Sequence, residues 1–173
     1  RVHMLLKIFG CLLIFSGCGG IGFGMGRDYN ARISQLEQVK KMLFLLEGEI
    51  KYNNGGIYES MKKLTGISDN IMTGFFEGVI KDNVGTLKEA WQFNIEKSFV
   101  ADSKLSKEDI AIIEDLGNTI GMTDKETQIK NIDHAMECID DNIGELKKGK
   151  TEKCRLYRTT GIAAGAFLAI LFL

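Results

Sequence analysis

The 173-residue chain carries 22 basic and 23 acidic residues, a net charge of −1, with no proline and only two histidines. That balance offers no overall basic surface to nucleic acid. No GxxxxGK[ST] phosphate loop occurs, which speaks against nucleotide hydrolysis by the chain itself.

All 23 acidic residues lie between two apolar terminal segments, 5–25 and 159–173. An α-helix needs ~20 apolar residues to cross a ~30 Å hydrocarbon core. Residues 5–26 are therefore expected to form a transmembrane helix, with Lys7 snorkelling at one end. Arg1, His3 and Lys7 ahead of an apolar run also resemble a secretory signal. Continued hydrophobicity through Ile21, Phe23 and Met25, where a small-x-small site would fall, favours an uncleaved anchor. Met4 reads as the start of the chain, so nothing rests on Arg1, Val2 and His3. Gly17, Gly19 and Gly22 match a dinucleotide-binding pattern, but no strand precedes them. The spacing of Gly20 with Gly24, Gly22 with Gly26 and Gly161 with Gly165 points instead to close helix packing in lipid, within one chain or between copies.

Residues 27–155 lack proline and alternating strands, and apolar residues recur there at helical spacing. Ile33, Leu36, Val39, Leu43, Leu46 and Ile50 mark a long first helix, broken by Asn53, Asn54, Gly55 and Gly56. A short helix with Ile57, Met61 and Leu64 follows, then one centred on Ile71, Phe75, Phe76, Val79 and Ile80. Three further starts carry a capping-box pair: Thr86 with Glu89, Ser106 with Asp109, and Thr123 with Glu126. The final helix carries Ile129, Ile132, Met136, Ile139, Ile143 and Leu146, a heptad seam that suits a bundle core or a second copy of the chain. The expected fold is all-α: a compact six-helix bundle at 27–155, flanked by transmembrane helices at 5–26 and 156–173. The second span reaches full length only if Leu156 and Tyr157 join it or the natural chain continues past Leu173.

Between positions 28 and 146 there are 22 acids and 13 bases, net −9, whereas 147–158 holds six bases and one acid. Arg27 and Arg32 flank the first span, and Lys147, Lys148, Lys150, Lys153, Arg155 and Arg158 precede the second. By the positive-inside tendency the central domain is cytosolic. An acidic domain suits a basic protein partner and repels nucleic acid, and its basic collar favours anionic headgroups. Cys11 and Cys18 share the first span, while Cys138 and Cys154 lie about 24 Å apart on one helix at 1.5 Å per residue. Neither pair can bridge within its helix, which agrees with a reducing compartment. His134, Cys138 and Asp141 fall near one helix face without a second cluster to complete a metal site, so no metal is expected. No nucleophile, base and orienting group can be assembled, and no cofactor is expected.

The stretch LGNTIGMTDKETQIKNI at 116–132 resembles the stage III sporulation protein AB family of endospore-forming bacteria, through Gly117, Thr119, Gly121, Asp124, Glu126, Gln128 and Lys130. LLEGEIKY at 45–52, the Glu89, Ala90, Trp91 run and both terminal segments extend the resemblance over nearly the whole chain. It implies a bundle similar to the cytoplasmic domain of the F-type inner-membrane platform protein of type II secretion and type IV pilus machines. It further implies a place in the channel complex between mother cell and forespore, on the mother-cell side of the forespore outer membrane. A cytosolic secretion-type ATPase and other membrane subunits would be its partners. Gly56 stands where the family commonly has proline, and Asn118 where an acid is common.

Read from the residues alone, the motif is mainly structural. Gly117 and Gly121 supply backbone freedom at a helix end, Thr123 caps the next helix, and Asp124 and Glu126 favour its positive N-terminus. Trp91 and Thr119 join that structural set. Asp124, Glu126, Gln128, Lys130, Asp133, Glu137, Asp140 and Asp141 form the candidate partner surface. The leading functional reading is a non-enzymatic membrane platform subunit that docks the ATPase. The alternatives are a membrane-tethered sensor or adaptor and a membrane hydrolase using Asp124 or Glu126.

Overall fold

A computed structural model of the chain describes residues 28–52, 56–67, 69–82, 85–100, 103–121 and 124–172. Every regular element among them is helical: α1 over 28–52, α2 at Ile57–Leu64, α3 at Ile71–Lys81, α4 at Leu87–Ile95, α5 at Lys107–Thr119 and α6 at Lys125–Phe172. A five-residue π-helical segment, Glu96–Val100, extends α4. The described chain divides into a larger unit, Arg32–Gly144, and a smaller one that joins residues up to Ala31 with those from Glu145 onward.

In the larger unit the apolar periodicity becomes a core. Ile33, Leu36, Val39, Leu43, Leu46 and Ile50 of α1 are all buried, as are Met61 and Leu64 of α2 and Met72, Phe75, Phe76 and Val79 of α3. Each large apolar side chain so buried contributes about 1.5–3 kcal/mol. The seam of α6 faces inward at Ile132, Ala135, Ile139 and Ile143, while Ile129 and Met136 are half-buried.

Helix starts follow local chemistry. Asn70 Oδ1 accepts from the amides of Met72 and Thr73, both at 3.0 Å. Thr86 and Glu89 form a reciprocal box, the Glu89 carboxylate accepting from the Thr86 amide at 2.8 Å and Thr86 Oγ1 from the Glu89 amide at 3.3 Å. The bond from the Thr86 amide holds the Glu89 carboxyl below its usual range. Ser106 and Asp109 form a second box. The third start differs from expectation. α6 begins at Lys125 with Asp124 as its cap, Asp124 Oδ2 accepting from the Thr127 amide at 3.2 Å and Oδ1 from the Thr127 hydroxyl at 2.7 Å. The carboxylate can serve amide and hydroxyl together, which places the cap one residue beyond Thr123. Thr123 itself lies outside the described residues.

Trp91, Phe75, Phe76 and Phe99 share one fully buried cluster. Phe75 meets Trp91 edge-on at 4.8 Å between centroids, and Phe99 lies 5.1 Å from Phe75. The Trp91 indole donates to the Ile113 carbonyl at 2.9 Å, tying α4 to α5. Gly117 lets the two helices approach: a Cβ there would sit 2.1 Å from Trp91 Cδ1. Its role is close packing within α5, not backbone freedom at a helix end. Gly121 does take the terminating role, with φ +78° just past α5. The Asn94 amide donates to the Ala90 carbonyl at 2.9 Å, while its buried oxygen faces Gly78, where a Cβ would sit 2.1 Å away.

Asp109 does more than cap α5. Its fully buried carboxylate accepts from Arg32 Nε at 2.6 Å and Nη2 at 3.0 Å, from Asn142 Nδ2 at 2.8 Å and from the Ser106 amide at 2.9 Å. Arg32 Nη2 also donates to Ser106 Oγ at 2.7 Å. Residues of α1, α5 and α6 thus converge on one carboxylate. Arg32, counted above with the cations at the membrane border, is occupied inside the bundle. Burial by itself would raise the Asp109 carboxyl, but the Arg32, Ser106 and Asn142 contacts outweigh it and hold the group below its ordinary value.

Among the described residues no helix is long and apolar enough to cross a membrane. The expected first span at 5–26 lies outside those residues, and 156–172 continues α6.

Two outcomes are expected from unfolding followed by circular dichroism. Gly117→Ala should destabilise by about 2 kcal/mol, because the methyl group displaces a held indole. Gly144→Ala has nothing within 4 Å of the added carbon and should stabilise by about 0.5–1 kcal/mol. Because Asp109 binds a proton less readily folded than unfolded, its stabilisation is complete above the ordinary carboxyl value of ~3.9 and is lost as pH falls through the folded value. Asp109→Asn should cost about 3 kcal/mol at pH 7, and its deficit against the native chain should shrink on acidification.

Candidate interaction surface on the last helix

α6 is amphipathic over its first turns, and its two faces have different uses. Ile132, Ala135, Ile139 and Ile143 point into the bundle. Glu126, Lys130, Asp133, Glu137, Asp140 and Asp141 recur at three- and four-residue spacing on the opposite face, and all are exposed. Six of the eight residues expected to form a partner surface are therefore brought together. The other two are not part of that stripe. Asp124 is committed to the cap, and its bonds with Thr127 hold its carboxyl below the usual range. Gln128 is half-buried on the inward side of the register.

Lys40 of α1 ion-pairs with Asp140 at one edge of the stripe. Both partners are substantially exposed, so water and salt screen the pair and its contribution to stability is small. Its local effect is to reduce the negative charge at that edge, leaving Asp133 and Glu137 as the more strongly acidic centre.

The structural set lies on α4, on α5 and at the end of α5. Trp91 and Gly117 lock α4 to α5, the Thr119 hydroxyl donates to the Leu116 carbonyl at 3.1 Å, and Gly121 follows the end of α5 with a positive φ. Asn118, at the position where an acid was expected by resemblance, accepts from Gln92 Nε2 at 3.3 Å. Gly56 caps α2 with extended backbone and no side-chain bond. His134 and Cys138 lie one turn apart with Nε2 and Sγ 3.8 Å from each other. Among the described residues no group of three His, Cys, Asp or Glu side chains is placed to hold a metal ion.

Sequence reasoning missed the Arg32, Asp109 and Asn142 assembly and the Gly78 contact with Asn94. The signal for the first was incomplete: Asp109 was visible as a cap, but nothing local to Arg32 or Asn142 marks a partner that far along the chain. The second is a property of a pair of helices, and neither residue announces it alone.

A family model for stage III sporulation protein AB matches residues 7–173. Stage III sporulation protein AB of Bacillus subtilis (strain 168) is 23% identical over 172 residues, spanning 98% of this chain and 100% of that protein. A solved structure of a stage III sporulation protein AB matches with a TM-score of 0.62 at 20% identity, covering 70% of this chain and 98% of the other. At that identity the structural likeness establishes a shared fold. A family match running almost from end to end establishes more: the chain belongs to the stage III sporulation protein AB family.

Proposed function

We propose that the protein is a non-enzymatic platform subunit of a sporulation complex, held in the membrane by segments 5–26 and 156–173, with the 27–155 domain in the mother-cell cytosol. In this reading it docks a secretion-type ATPase and couples it to membrane subunits between mother cell and forespore. Family membership supports the sporulation role. The observation that carries the docking reading is the exposed acidic stripe of α6, whose residues are not needed for the core beneath it.

An acidic stripe on a domain of net charge −9 would attract a basic face and speed encounter by long-range electrostatics. The partner would then present lysine and arginine. Docking beside a two-ended tether would hold a motor close to the bilayer, where its conformational work could be passed to membrane components.

The docking reading is tested by co-purifying the full-length protein with the secretion-type ATPase encoded in the same genome. Capture is expected, and it should weaken as screening length falls from ~10 Å at 0.1 M salt to ~3 Å at 1 M. Reversing Asp133, Glu137, Asp140 and Asp141 to Lys should abolish capture while the helical spectrum is kept. Undiminished capture by that variant removes this face from the docking model.

Topology is tested separately in a non-sporulating host. In a chain with its native cysteines replaced by alanine, Lys107→Cys places a thiol at an exposed position opening α5. An impermeant thiol reagent should label it only after the cells are opened. Labelling of intact cells would place the domain on the other side.

A further inference from the structure

In the smaller unit the first turn of α1 is bonded to α6 beyond Glu145 through polar side chains that water reaches. Lys150 Nζ donates to Asn30 Oδ1 at 2.8 Å. Lys153 Nζ donates to the Tyr29 hydroxyl at 2.7 Å and lies 5.1 Å from the centre of its ring. Among the described residues no side chain of 28–31 or of 147–156 is buried, and Leu146 is the last buried residue of α6. The seam between these two segments therefore seals no apolar core of its own. Its bonds are weak, because water competes for every donor and acceptor in it.

The character of the contacts changes where the larger unit begins and ends. Arg32 is its first residue, and Asn142 stands just ahead of its last, Gly144. Both bond the Asp109 carboxylate, which has no solvent exposure. The residues next along each helix, Ile33 and Leu36 on α1 and Ile143 and Ile139 on α6, are buried.

We propose that the seam opens and closes while the bundle stays folded, and that the Asp109 clamp is its stop. Parting the two segments breaks only solvent-exposed contacts until the opening reaches Arg32 and Asn142. To go further it must strip a buried carboxylate of its donors and bare apolar side chains to water, both of which are costly. A donor from one helix alone would restrain only that helix. Because Arg32 and Asn142 share one carboxylate, α1 and α6 are arrested at the same depth. The two chain ends can then change their spacing without loosening the core, whether or not a partner occupies the outward face of α6.

The motion is read by double electron-electron resonance between paired spin labels on the full chain in detergent, with the native cysteines replaced by alanine. An outer pair, Ala31→Cys with Thr151→Cys, spans the seam and keeps both lysine bonds. An inner pair, Ser34→Cys with Asp141→Cys, lies just past the clamp at two exposed positions. The outer distance distribution should be roughly twofold broader than the inner one or more. In Asp109→Asn the inner distribution should broaden toward the outer one. In Gly117→Ala, which loosens the α4 and α5 contact instead, it should stay narrow. Equal widths in the native chain overturn the opening seam. An inner pair that stays narrow in Asp109→Asn, or broadens as much in Gly117→Ala, overturns the stop. Should Asp109→Asn fail to fold, Asn142→Ala takes its place, since it keeps the Arg32 pair. The inner distribution should then broaden to a lesser degree, and an unchanged width overturns the stop.

Discussion

Arg32 reaches from the early part of α1 to a carboxylate that solvent does not touch, and Asn142 meets the same carboxylate from α6. Three helices separated widely in sequence are thereby held at one point, and the Ser106 cap of α5 is built into the same assembly. An uncompensated charge at Asp109 would be strongly destabilising, so any arrangement of α1, α5 and α6 that loses Arg32 is penalised. Apolar side chains can slide past one another at modest cost. A buried carboxylate with four donors cannot, and it therefore selects one relative placement of these helices from the many that hydrophobic burial alone would permit.

That selection has consequences for the candidate interaction face. The inward residues of α6, from Ile132 to Ile143, are committed to the core, and Asn142 fixes the rotation of the helix about its own axis. The side turned outward is then determined. Asp133 and Glu137 are displayed because Ile132 and Ile139 are not, and the Lys40 contact with Asp140 borders the display on the α1 side. A surface presented by a rotationally fixed helix can dock a partner without first becoming ordered, which lowers the entropic cost of association.

The helices of the bundle were legible because burial imposes a 3.6-residue rhythm that needs no knowledge of the neighbour. Ile33 through Ile50 and Ile132 through Ile143 illustrate this. Two of the three capping boxes were equally visible, since each is closed within four residues. The third start slipped to Asp124 because Thr127 offered the carboxylate both an amide and a hydroxyl, a combination that the acid-at-N3 rule does not anticipate. Gly117 was visible as a residue but misread in role: the sequence shows a glycine near a helix end, and only the position of Trp91 reveals that the missing side chain is what matters. Asp124 and Gln128 entered the candidate surface through the motif at 116–132, and a motif does not say which of its residues share a helix face: Asp124 caps α6 and Gln128 is half-buried.

Trp91 is the chain's sole tryptophan and has no solvent exposure. Its indole is boxed by Phe75 and Phe76 and bonded to a backbone carbonyl. Intrinsic fluorescence excited in the indole band is consequently a single-site optical probe of the bundle interior. It distinguishes a packed α4–α5 contact from a loosened one without any label. The same seclusion makes it blind to events on the outward side of α6, so a partner could occupy that face with no change in emission colour, and a spectrum that does shift reports that the core itself has rearranged.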